Sequence, residues 1–476
     1  MSLFKSISNY GDNVALISEL TGSLTYNDLV KKTDDIKRYI PERSLVFLIS
    51  KNTVASLIFY ISSIRNNCVV MLADAKTNIS NILNLISLYK PSFVAAPINW
   101  FKNSKFDGFK ILENIYDYSI YRTNYQKFPK MNINLSVLLP TSGSMGSPKY
   151  VRLSHQNLKA NTDSIVNFLE IKSKDRAVTT MPCSYSFMLS IINTHVDSGA
   201  SILVCDYSVT QKKFWEEFKD NKVTSLSGVP YLFDIFLKLG LSKIYIPSLR
   251  TFTQAGGKLD IRSAKKVLEF CKKNNIKFTM MYGQTEATAR MAYLNWKNAI
   301  NKSGSIGKSI PSTKMWLENT NGEKVKKSGE IGELVFKGKN VSMGYSNGVE
   351  DLNKEDENKG ILRTGDLASF DDEGFFYIEG RLTRIAKIYG NRLNLDEIEE
   401  KMKTVGIEVA CKERGDKLLV FFESNVSKKD VLDKISEITG QNKISFKCVV
   451  INKFPRTFSG KIDYYKLQKE GLNAWL

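Results

Sequence analysis

An α/β fold with layered parallel sheets is predicted by three features of the sequence. From Ser44 onward, short apolar runs alternate with longer amphipathic ones, in the order SLVFLIS, TVASLIFYISSIRNN, VVMLADA, NISNILNLISLYK and SFVAAP. This alternation is typical of repeated β-α units. The chain has 476 residues, too many for one ordinary core, so at least two domains are expected. Beyond about Ser303 the long helical patterns give way to strands and turns.

The remaining segments fit this architecture in chain order. A second β-α series runs through GASILVCD, a helical stretch over 212–218, VTSLSGVP, LRTFTQAGG and a helix over 264–273. GELVFKGK and LASFDDEGFFYIEG then predict a β-rich subdomain. LDEIEEKMKT, EVACKERGDKLLVFFES, a helix near 431–438 and KCVVINKF predict a small α+β domain at the C-terminal end.

The composition argues against several classes of protein. Hydrophobic residues make up 42% of the chain and charged residues 25%, which is typical of a soluble globular protein and not of a disordered one. The six cysteines form no CxxC pair and only His155 and His195 accompany them, so neither a zinc site nor a disulfide framework is expected. No segment approaches the ~20 apolar residues needed to cross a bilayer, and no signal-peptide pattern is present, so we predict a cytoplasmic location.

The formal net charge of +19 comes from 68 Lys and Arg against 49 Asp and Glu. Such an excess can indicate a nucleic-acid partner. The basic residues, however, lie in short groups spread along the chain, without a basic face of interleaved aromatic residues or a known reader module. We therefore expect no nucleic-acid partner, and interpret the charge first as a general lysine bias and second as a surface for an acidic protein.

The most informative segment runs from Ser136 to Ser154, where the apolar strand SVLLP leads into TSGSMGSPK and out into the strand YVRLS. Small residues let backbone N–H groups approach an anion, hydroxyls add donors and a lysine adds charge. The spacing matches neither the Walker loop nor the GxGxxG dinucleotide turn. We predict a polyphosphate cradle formed by Thr141, Ser142, Gly143, Ser144, Gly146 and Lys149.

TSGSMGSPK resembles the signature loop of the adenylate-forming superfamily, which includes acyl-CoA synthetases, peptide-synthetase adenylation domains, aryl-acid ligases and luciferases. Further motifs that resemble those of the superfamily follow in its order over almost the whole chain. The resemblance implies an ATP-binding domain over 1–381 and a small mobile α+β domain over 382–476. The domain boundary then lies near Arg381 to Thr383.

MYGQTEAT, at Met281 to Thr288, resembles the superfamily's nucleotide motif. The resemblance implies that Tyr282 stacks on adenine, Thr285 contacts the α-phosphate and Glu286 binds Mg²⁺. These residue types suit their tasks, because a flat ring matches a base, a hydroxyl matches a phosphate oxygen and a carboxylate matches a hard cation. The other expected nucleotide-site members of the motif are Gly283 and Gln284.

Five more residues receive roles from the resemblance. Gly256 and Gly257, in TQAGGKL, resemble a glycine pair that lets the backbone approach the purine. Asp366, in LRTGDLA, stands where the superfamily binds both ribose hydroxyls. Arg381 would contact ribose or phosphate. Lys461, in FPRTFSGKIDYYKL, resembles the catalytic lysine, whose cation would stabilise charge as pyrophosphate leaves.

The segment GRLTRIAKIYGNRLNLDEIE resembles the hinge and the start of the mobile domain. Thr383 stands at the hinge, where most members of the superfamily have Asp or Lys. The resemblance implies that Lys387 and Gly390 lie on the segment that, in other members of the superfamily, swings towards the site for the second half-reaction. The resemblance places Gly390 beside the thiol tunnel.

An acyl pocket is expected from separate segments of the chain, including Tyr185, Val229 and Met281. Tyr185 takes the place of a histidine that many acyl-CoA synthetases carry in this region. Peptide-synthetase domains for α-amino acids usually have an Asp here to pair with the amine, and none occurs between Met181 and Thr194. This difference argues against a standard α-amino acid.

Together the motifs predict an ATP- and Mg²⁺-dependent enzyme that joins a carboxylic acid to AMP, releases pyrophosphate and passes the acyl group to a thiol. The expected thiol is the phosphopantetheine of an acidic acyl carrier protein, which a cationic surface would suit. Alternatives are an acyl-CoA synthetase that uses free CoA and an amino-acid-adenylating enzyme. An inactive nucleotide-binding relic is disfavoured by the joint presence of Lys149, Glu286, Asp366 and Lys461.

Overall fold

The computed structural model describes residues 3–101, 109–125, 129–141, 149–241, 244, 246–388, 391–457, 460–464 and 466–467. These residues form two compact units. Unit 1 takes in the described residues of Met1–Gly143, Ser147–Lys314 and Lys337–Leu362, and unit 2 those of Met315–Phe336 and Arg363–Leu476. The boundary expected near Arg381 falls inside unit 2, and the motion of 382–476 as a separate domain stays a prediction.

The elements alternate between strands and helices through most of unit 1. The helices are α1 Tyr26–Ile36, α2 Val54–Arg65, α3 Ile79–Tyr89, α4 His155–Leu169, α5 Ser186–Asp197, α6 Lys212–Asp220, α7 Pro230–Leu239, α8 Ile261–Lys273, α9 Leu395–Thr404 and α10 Lys428–Thr439. The strands are β1 Val14–Ser18, β2 Gly22–Thr25, β3 Leu45–Ser50, β4 Val69–Asp74, β5 Phe93–Pro97, β6 Lys110–Ile115, β7 Tyr118–Arg122, β8 Leu135–Pro140, β9 Tyr150–Ser154, β10 Arg176–Val178, β11 Ser201–Leu203, β12 Ser225–Gly228, β13 Thr251–Gln254, β14 Lys277–Tyr282, β15 Ala292–Leu294, β16 Lys308–Ser309, β17 Lys314–Glu318, β18 Gly332–Lys337, β19 Tyr345–Ser346, β20 Ile361–Phe370, β21 Phe376–Arg381, β22 Ile385–Ile388, β23 Asn391–Asn394, β24 Val409–Arg414, β25 Lys417–Glu423 and β26 Phe446–Ile451.

Two large mixed sheets form unit 1. One has the strand order β19-β9-β8-β4-β3-β5-β7-β6, and the other β16-β15-β14-β13-β12-β10-β11-β1-β2. β3 pairs in parallel with β4 and with β5, as expected for consecutive β-α units. The second series is likewise parallel from β12 through β13 to β14. Both β-α series predicted from the sequence are therefore confirmed.

The helix α2 shows why the first series folds this way. The side chain of Thr53 accepts a hydrogen bond from the backbone N–H of Ser56, which caps the helix. Every residue from Val54 to Ile64 is buried. A helix that is apolar on all sides is a core helix, and α2 lies in the main hydrophobic cluster of unit 1.

Unit 2 combines a four-stranded sheet, β17-β18-β20-β21, with a smaller α+β body. In that body β24 and β25 are antiparallel, β25 and β26 are parallel, and α9 and α10 pack with them around Met402, Val420 and Ile435. The predicted β-rich subdomain and C-terminal α+β arrangement are confirmed. In the part of the chain that the structure describes, no helix is long and apolar enough to cross a bilayer. All six cysteines are free thiols.

Candidate active site

A β-hairpin carries the predicted phosphate loop. β8 and β9 pair antiparallel, with Pro140 opposite Tyr150. The backbone N–H of Thr141 donates a 3.0 Å hydrogen bond to the carbonyl of Lys149, and the Thr141 hydroxyl donates to the same carbonyl at 3.2 Å. The two ends of the loop are therefore joined at the end of the ladder. The other predicted members lie outside the described residues, namely Ser142, Gly143, Ser144 and Gly146.

A tight turn after β14 holds the predicted nucleotide motif. Gly283 is required there, because a Cβ atom at this position would lie 1.6 Å from the carbonyl oxygen of Ala289. A 3₁₀ turn over Thr285–Ala287 follows, and the Thr285 hydroxyl donates a 3.2 Å hydrogen bond to Oγ of Ser186. The half-buried side chains of the turn are Tyr282, Gln284, Thr285 and Glu286. One short segment thus offers a phenol, an amide, a hydroxyl and a carboxylate.

The chain beyond this turn is strained and is held by buried side chains. Thr288 and Ala289 have φ values of 57° and 93°, which are uncommon for residues with a Cβ atom. The Thr288 hydroxyl donates a 2.7 Å hydrogen bond to the carbonyl of Asn340. The side-chain amides of Asn161 and Asn340 donate to the carbonyl of Arg290 at 2.9 and 3.1 Å. These bonds fix the direction in which the chain leaves the turn.

Glu286 is joined to the phosphate-loop hairpin through Tyr345, a residue that the sequence analysis missed. The Tyr345 hydroxyl donates a 2.8 Å hydrogen bond to Oε1 of Glu286. Nζ of Lys149 lies 5.8 Å from the centroid of the Tyr345 ring. Burial, and then the Glu286 carboxylate, raise the pKa of Tyr345, so the phenol keeps its proton and remains a donor. Strand pairing brings Tyr345 here, because β19 lies beside β9.

The Glu286 carboxylate fits a magnesium ion that is held mainly by substrate phosphates. Oε1 accepts the hydrogen bond from Tyr345, and Oε2 has no hydrogen-bond partner among the described residues. Within those residues, no group of three or more His, Cys, Asp or Glu side chains is placed to hold a metal. Mg²⁺ in nucleotide sites commonly takes one or two carboxylates and completes its shell with water and phosphate oxygens. A single available carboxylate oxygen is what such an ion requires.

Gly256 packs against two of the predicted acyl-pocket residues. It follows β13 with a φ of 86°, and a Cβ atom there would lie 2.6 Å from Oη of Tyr185 and 3.0 Å from Cγ1 of Val229. The carbonyl of Gly257 accepts a 2.8 Å hydrogen bond from the side chain of Gln254. The structure thus gives Gly256 a packing role beside Tyr185 and Val229. The approach of this glycine pair to a purine stays a prediction.

The predicted acyl-pocket residues share one apolar cluster. Val229 and Met281 are buried members of it, and Tyr185 packs against it. Tyr185 immediately precedes α5, and its ring centroid lies 6.5 Å from that of Phe187. Tyr185 and Val229 both lie against Gly256, so the structure brings these two residues together, and Met281 belongs to the same large cluster.

Arg290 is a buried cation beside this cluster and is a second residue that the sequence analysis missed. The guanidinium carbon lies 3.8 Å from the centroid of the Phe187 ring. Burial lowers the pKa of Arg290 to about 9, and the nearby phenol of Tyr185 acts in the opposite direction. The signal in the sequence that could have found it is a charged residue inside the otherwise apolar stretch ARMAYL.

In unit 2, Asp366 and Arg381 lie opposite each other on β20 and β21. Nε of Arg381 is 3.0 Å from Oδ1 of Asp366, which is buried, whereas the arginine side chain is exposed. The backbone N–H of Asp366 donates a 3.1 Å hydrogen bond to the hydroxyl of Thr364. The two residues predicted to meet the ribose therefore form an ion pair. A ribose diol at Asp366 would have to share the carboxylate with Arg381.

Lys461 lies in a tight turn of the same unit. The backbone N–H of Thr457 donates a 2.8 Å hydrogen bond to the carbonyl of Lys461. Although part of the side chain is exposed, its surroundings lower the pKa of the ammonium. Partial removal from water is the main cause and the charge of Arg381 adds to it, while Asp366 and Asp396 oppose it. The predicted catalytic lysine and the predicted ribose pair thus lie within electrostatic range of one another.

The predicted hinge residue, Thr383, lies in a 3₁₀ turn over Leu382–Arg384, between β21 and β22. Its neighbour Arg384 is anchored in the α+β body of unit 2. Arg384 forms an ion pair with Glu399, and the Tyr464 hydroxyl donates a 2.6 Å hydrogen bond to the same carboxylate. The two residues predicted for the swinging segment are Lys387, in β22, and Gly390, which lies outside the described residues.

The chain belongs to the AMP-binding enzyme family, whose model matches residues 3–346. It is 26% identical over 346 residues to the 2-succinylbenzoate–CoA ligase of Listeria monocytogenes, an alignment that covers 70% of this chain and 69% of that protein. It is also 26% identical over 357 residues to the oxalate–CoA ligase of Saccharomyces cerevisiae, covering 72% of this chain and 64% of that protein. The match spans about two thirds of the length of each relative.

Solved structures share the fold. The o-succinylbenzoate CoA synthetase (MenE) of Bacillus subtilis, in complex with the acyl-adenylate intermediate OSB-AMP, matches with a TM-score of 0.78 at 21% identity over 97% of each chain. The same enzyme in complex with ATP and a magnesium ion matches with a TM-score of 0.77 at 20% identity, over 97% of this chain and 98% of that one. The family resemblance and the α/β fold predicted from the sequence are both confirmed.

Proposed function

We propose that this protein activates a carboxylic acid by joining it to the AMP part of ATP and then transfers the acyl group to coenzyme A. The observation that carries the proposal is the turn at Gly283. It presents the hydroxyl of Thr285 and an available carboxylate oxygen of Glu286, which Tyr345 connects to Lys149. Hydroxyl, carboxylate and ammonium are the groups that a triphosphate and its cation require.

In the first step a carboxylate oxygen of the acid attacks the α-phosphorus of ATP. The bond from that phosphorus to the bridging oxygen breaks, and pyrophosphate leaves with the electron pair. Thr285 donates to an α-phosphate oxygen, and Lys149 adds positive charge at the phosphate loop. Lys461 stabilises the charge that develops on the reacting groups. A magnesium ion at Glu286 would neutralise part of the phosphate charge.

In the second step the thiol sulfur attacks the acyl carbonyl carbon. The bond between that carbon and the AMP oxygen breaks, AMP leaves with the electron pair, and the thiol proton is released. The proposal includes a rotation of 382–476 about Thr383 between the steps, because a catalytic lysine needed for the first step has to make room for a thiol in the second.

Coenzyme A is proposed as the acceptor because the relatives are named as CoA ligases. These names favour the alternative of the sequence analysis over its first choice, a carrier protein. The phosphopantetheine of an acidic carrier protein is the second candidate, and the net charge of +19 supports it. A cytoplasmic location stays a prediction.

The exchange of labelled pyrophosphate into ATP, measured with a panel of fatty, aryl, hydroxy and amino acids, tests the first step. We expect exchange that depends on the acid and on Mg²⁺. Lys461→Ala should lower the rate about 100-fold or more, as for the loss of an electrostatic catalyst. Lys447→Ala, at an exposed position of β26, is the matched control and should leave the rate unchanged. Folded wild-type protein that shows no exchange with any acid would overturn the proposal.

The acceptor is tested with the acid that supports exchange. Mass spectrometry should detect its CoA thioester when ATP, Mg²⁺ and CoA are present. A phosphopantetheinylated carrier protein is offered in a parallel reaction. If a thioester forms on the carrier protein and not on CoA, the carrier protein is the acceptor and the proposal of CoA is wrong. The proposed adenylation step would be unaffected by that result.

A further inference from the structure

Arg152 and Arg290 are both almost completely buried, with exposed fractions of 0% and 3%, but their surroundings differ. Every nitrogen of the Arg152 guanidinium donates a hydrogen bond. Nε and Nη1 donate to backbone carbonyls at 3.1 and 2.6 Å, and Nη2 donates to Glu357 at 2.6 Å and to two further carbonyls. Arg152 is thus a fully satisfied structural cation.

Arg290 lacks such partners among the described residues. Within the part of the chain that the structure describes, its Nε has no hydrogen-bond partner, and no carboxylate lies within ion-pair distance of the guanidinium. Among the described residues, Nη1 donates a single long hydrogen bond of 3.4 Å, to the carbonyl of the preceding Ala289. The face of the Phe187 ring compensates part of the charge. A buried cation without a counter-ion is unfavourable, and the lowered pKa of Arg290 has the same cause.

The chain nevertheless fixes Arg290 in this position. The two preceding residues adopt left-handed backbone conformations, at φ values of 57° and 93°. The buried amides of Asn161 and Asn340 both hold the Arg290 carbonyl. Backbone strain that is held by several buried bonds is typical of functional positions. An anion at this position would supply the partner that the described residues do not give Arg290.

The location of Arg290 indicates where that anion comes from. Its guanidinium packs on Phe187 and is close enough to Tyr185 to affect the pKa of the phenol. Tyr185 in turn packs against Gly256 beside Val229, in the predicted acyl pocket. Arg290 therefore lies beside Phe187 and Tyr185, next to the predicted acyl pocket, whereas Thr285 and Glu286 lie on the half-buried turn.

We infer that Arg290 binds a second anionic group of the acid substrate, at the end away from the carboxylate that is activated, and that the substrates are dicarboxylic acids. This inference rests on the proposed function. The guanidinium presents a planar set of donors that matches a carboxylate. A second carboxylate in the pocket would supply the counter-ion and the hydrogen-bond acceptor that the protein does not.

Pyrophosphate exchange with matched acid pairs tests the inference. The pairs are butanoate and succinate, pentanoate and glutarate, hexanoate and adipate, and benzoate and phthalate. We expect wild type to prefer the dicarboxylic member of at least one pair by about 10- to 100-fold in kcat/KM, as for a charged hydrogen bond. Arg290→Met should abolish that preference and keep exchange with the monocarboxylic acid, and Arg290→Lys should retain part of it.

The outcomes separate this inference from the proposed function. Absence of exchange with every acid would overturn the proposed function, and this inference with it. Equal or faster exchange with the monocarboxylic member of every pair would overturn this inference alone. So would an Arg290→Met variant that loses activity equally with both members of a pair, because Arg290 would then act on the carboxylate that is activated.

Thermal unfolding provides a second readout that does not depend on activity. Without substrate, Arg290→Met should unfold at the same temperature as wild type or above it, because an unpaired buried cation is removed. Arg152→Met, the matched control, should unfold at a lower temperature. The preferred diacid should raise the unfolding midpoint of wild type and leave that of Arg290→Met unchanged. If Arg290→Met is destabilised as Arg152→Met is and keeps the diacid preference, Arg290 is structural and the inference is wrong.

Discussion

The hydroxyl of Tyr345 donates a 2.8 Å hydrogen bond to Oε1 of Glu286 and leaves Oε2 as the available oxygen of that carboxylate. A bond of this kind sets the orientation of a metal-binding carboxylate, and its removal typically weakens metal binding. The raised pKa of Tyr345 means that the phenol keeps its proton, and so remains a donor, at neutral and moderately alkaline pH.

Tyr345→Phe should raise the Mg²⁺ concentration needed for half-maximal pyrophosphate exchange by roughly 10-fold, because Glu286 loses the partner that orients it. A magnesium titration of the exchange rate measures this. Tyr207→Phe is the matched control, since it removes an equivalent hydroxyl that donates to Glu19 at the surface. An unchanged magnesium requirement in Tyr345→Phe would show that the bond does not affect the predicted magnesium site.

Gly283→Ala should destabilise the protein by about 3 kcal/mol or more, because the new Cβ atom would collide with a backbone carbonyl that cannot move freely. Urea unfolding measures the loss, and exchange activity should fall with it. Gly374→Ala is the control. Gly374 has a φ of 75° and open space around it, so its replacement should cost only about 1 kcal/mol. Similar losses at the two positions would contradict the predicted clash.

Glu399→Ala should destabilise unit 2 by about 1.5–3 kcal/mol, because it removes the more buried of the two carboxylates that pair with Arg384, while Asp396 remains as a partner. Glu397→Ala, on the same helix, removes an exposed ion pair with Lys401 and should cost under about 0.5 kcal/mol. Denaturant unfolding followed by hydrogen exchange in β24 and β25 compares the two variants. Equal losses would mean that burial of the Arg384 pair adds nothing.

The pH dependence of exchange should reflect Lys461. Because its pKa is lowered, the ammonium loses its proton at a pH below the ordinary lysine value, and activity should decline on the alkaline side below pH ~10.4. Lys461→Arg should shift that decline to higher pH, since arginine stays protonated. The free energy of unfolding should change in the opposite direction. Because the unfolded chain binds this proton more tightly than the folded one, the contribution of Lys461 to stability should increase as the pH rises through the pKa of the folded state.

The first β-α series could be read from the sequence almost to the residue, because its strands are continuous apolar runs and its helices have local caps. The predicted strand SLVFLIS corresponds to β3, and the predicted helix from Thr53 corresponds to α2, whose cap is Thr53 itself. The order of the strands within each sheet could not be predicted from the sequence in the same way. β1 lies beside β11 because of contacts across the whole unit, and no local pattern encodes such a pairing.

The candidate site divides in the same way. The placement of Tyr282, Thr285 and Glu286 on one turn could be predicted because they share one local motif, and their roles toward ATP stay predictions. Tyr345 could not, since it is separated from Glu286 by 59 positions and arrives by strand pairing. Arg290 lies four residues beyond Glu286, yet its importance depends on burial and missing partners, which only the folded chain defines.

The left-handed backbone at Ala289 has a consequence for laboratory evolution. Glycine at that position would relax the φ of 93° without a steric penalty, so selection for heat resistance alone should favour it. The same change would increase the backbone flexibility of the neighbouring segment, so that the side chain of Arg290 would be held less precisely. Variants selected only for heat resistance should therefore become more thermostable and discriminate less well between acids. Ala289 is thus a position at which stability and substrate selectivity favour different residues.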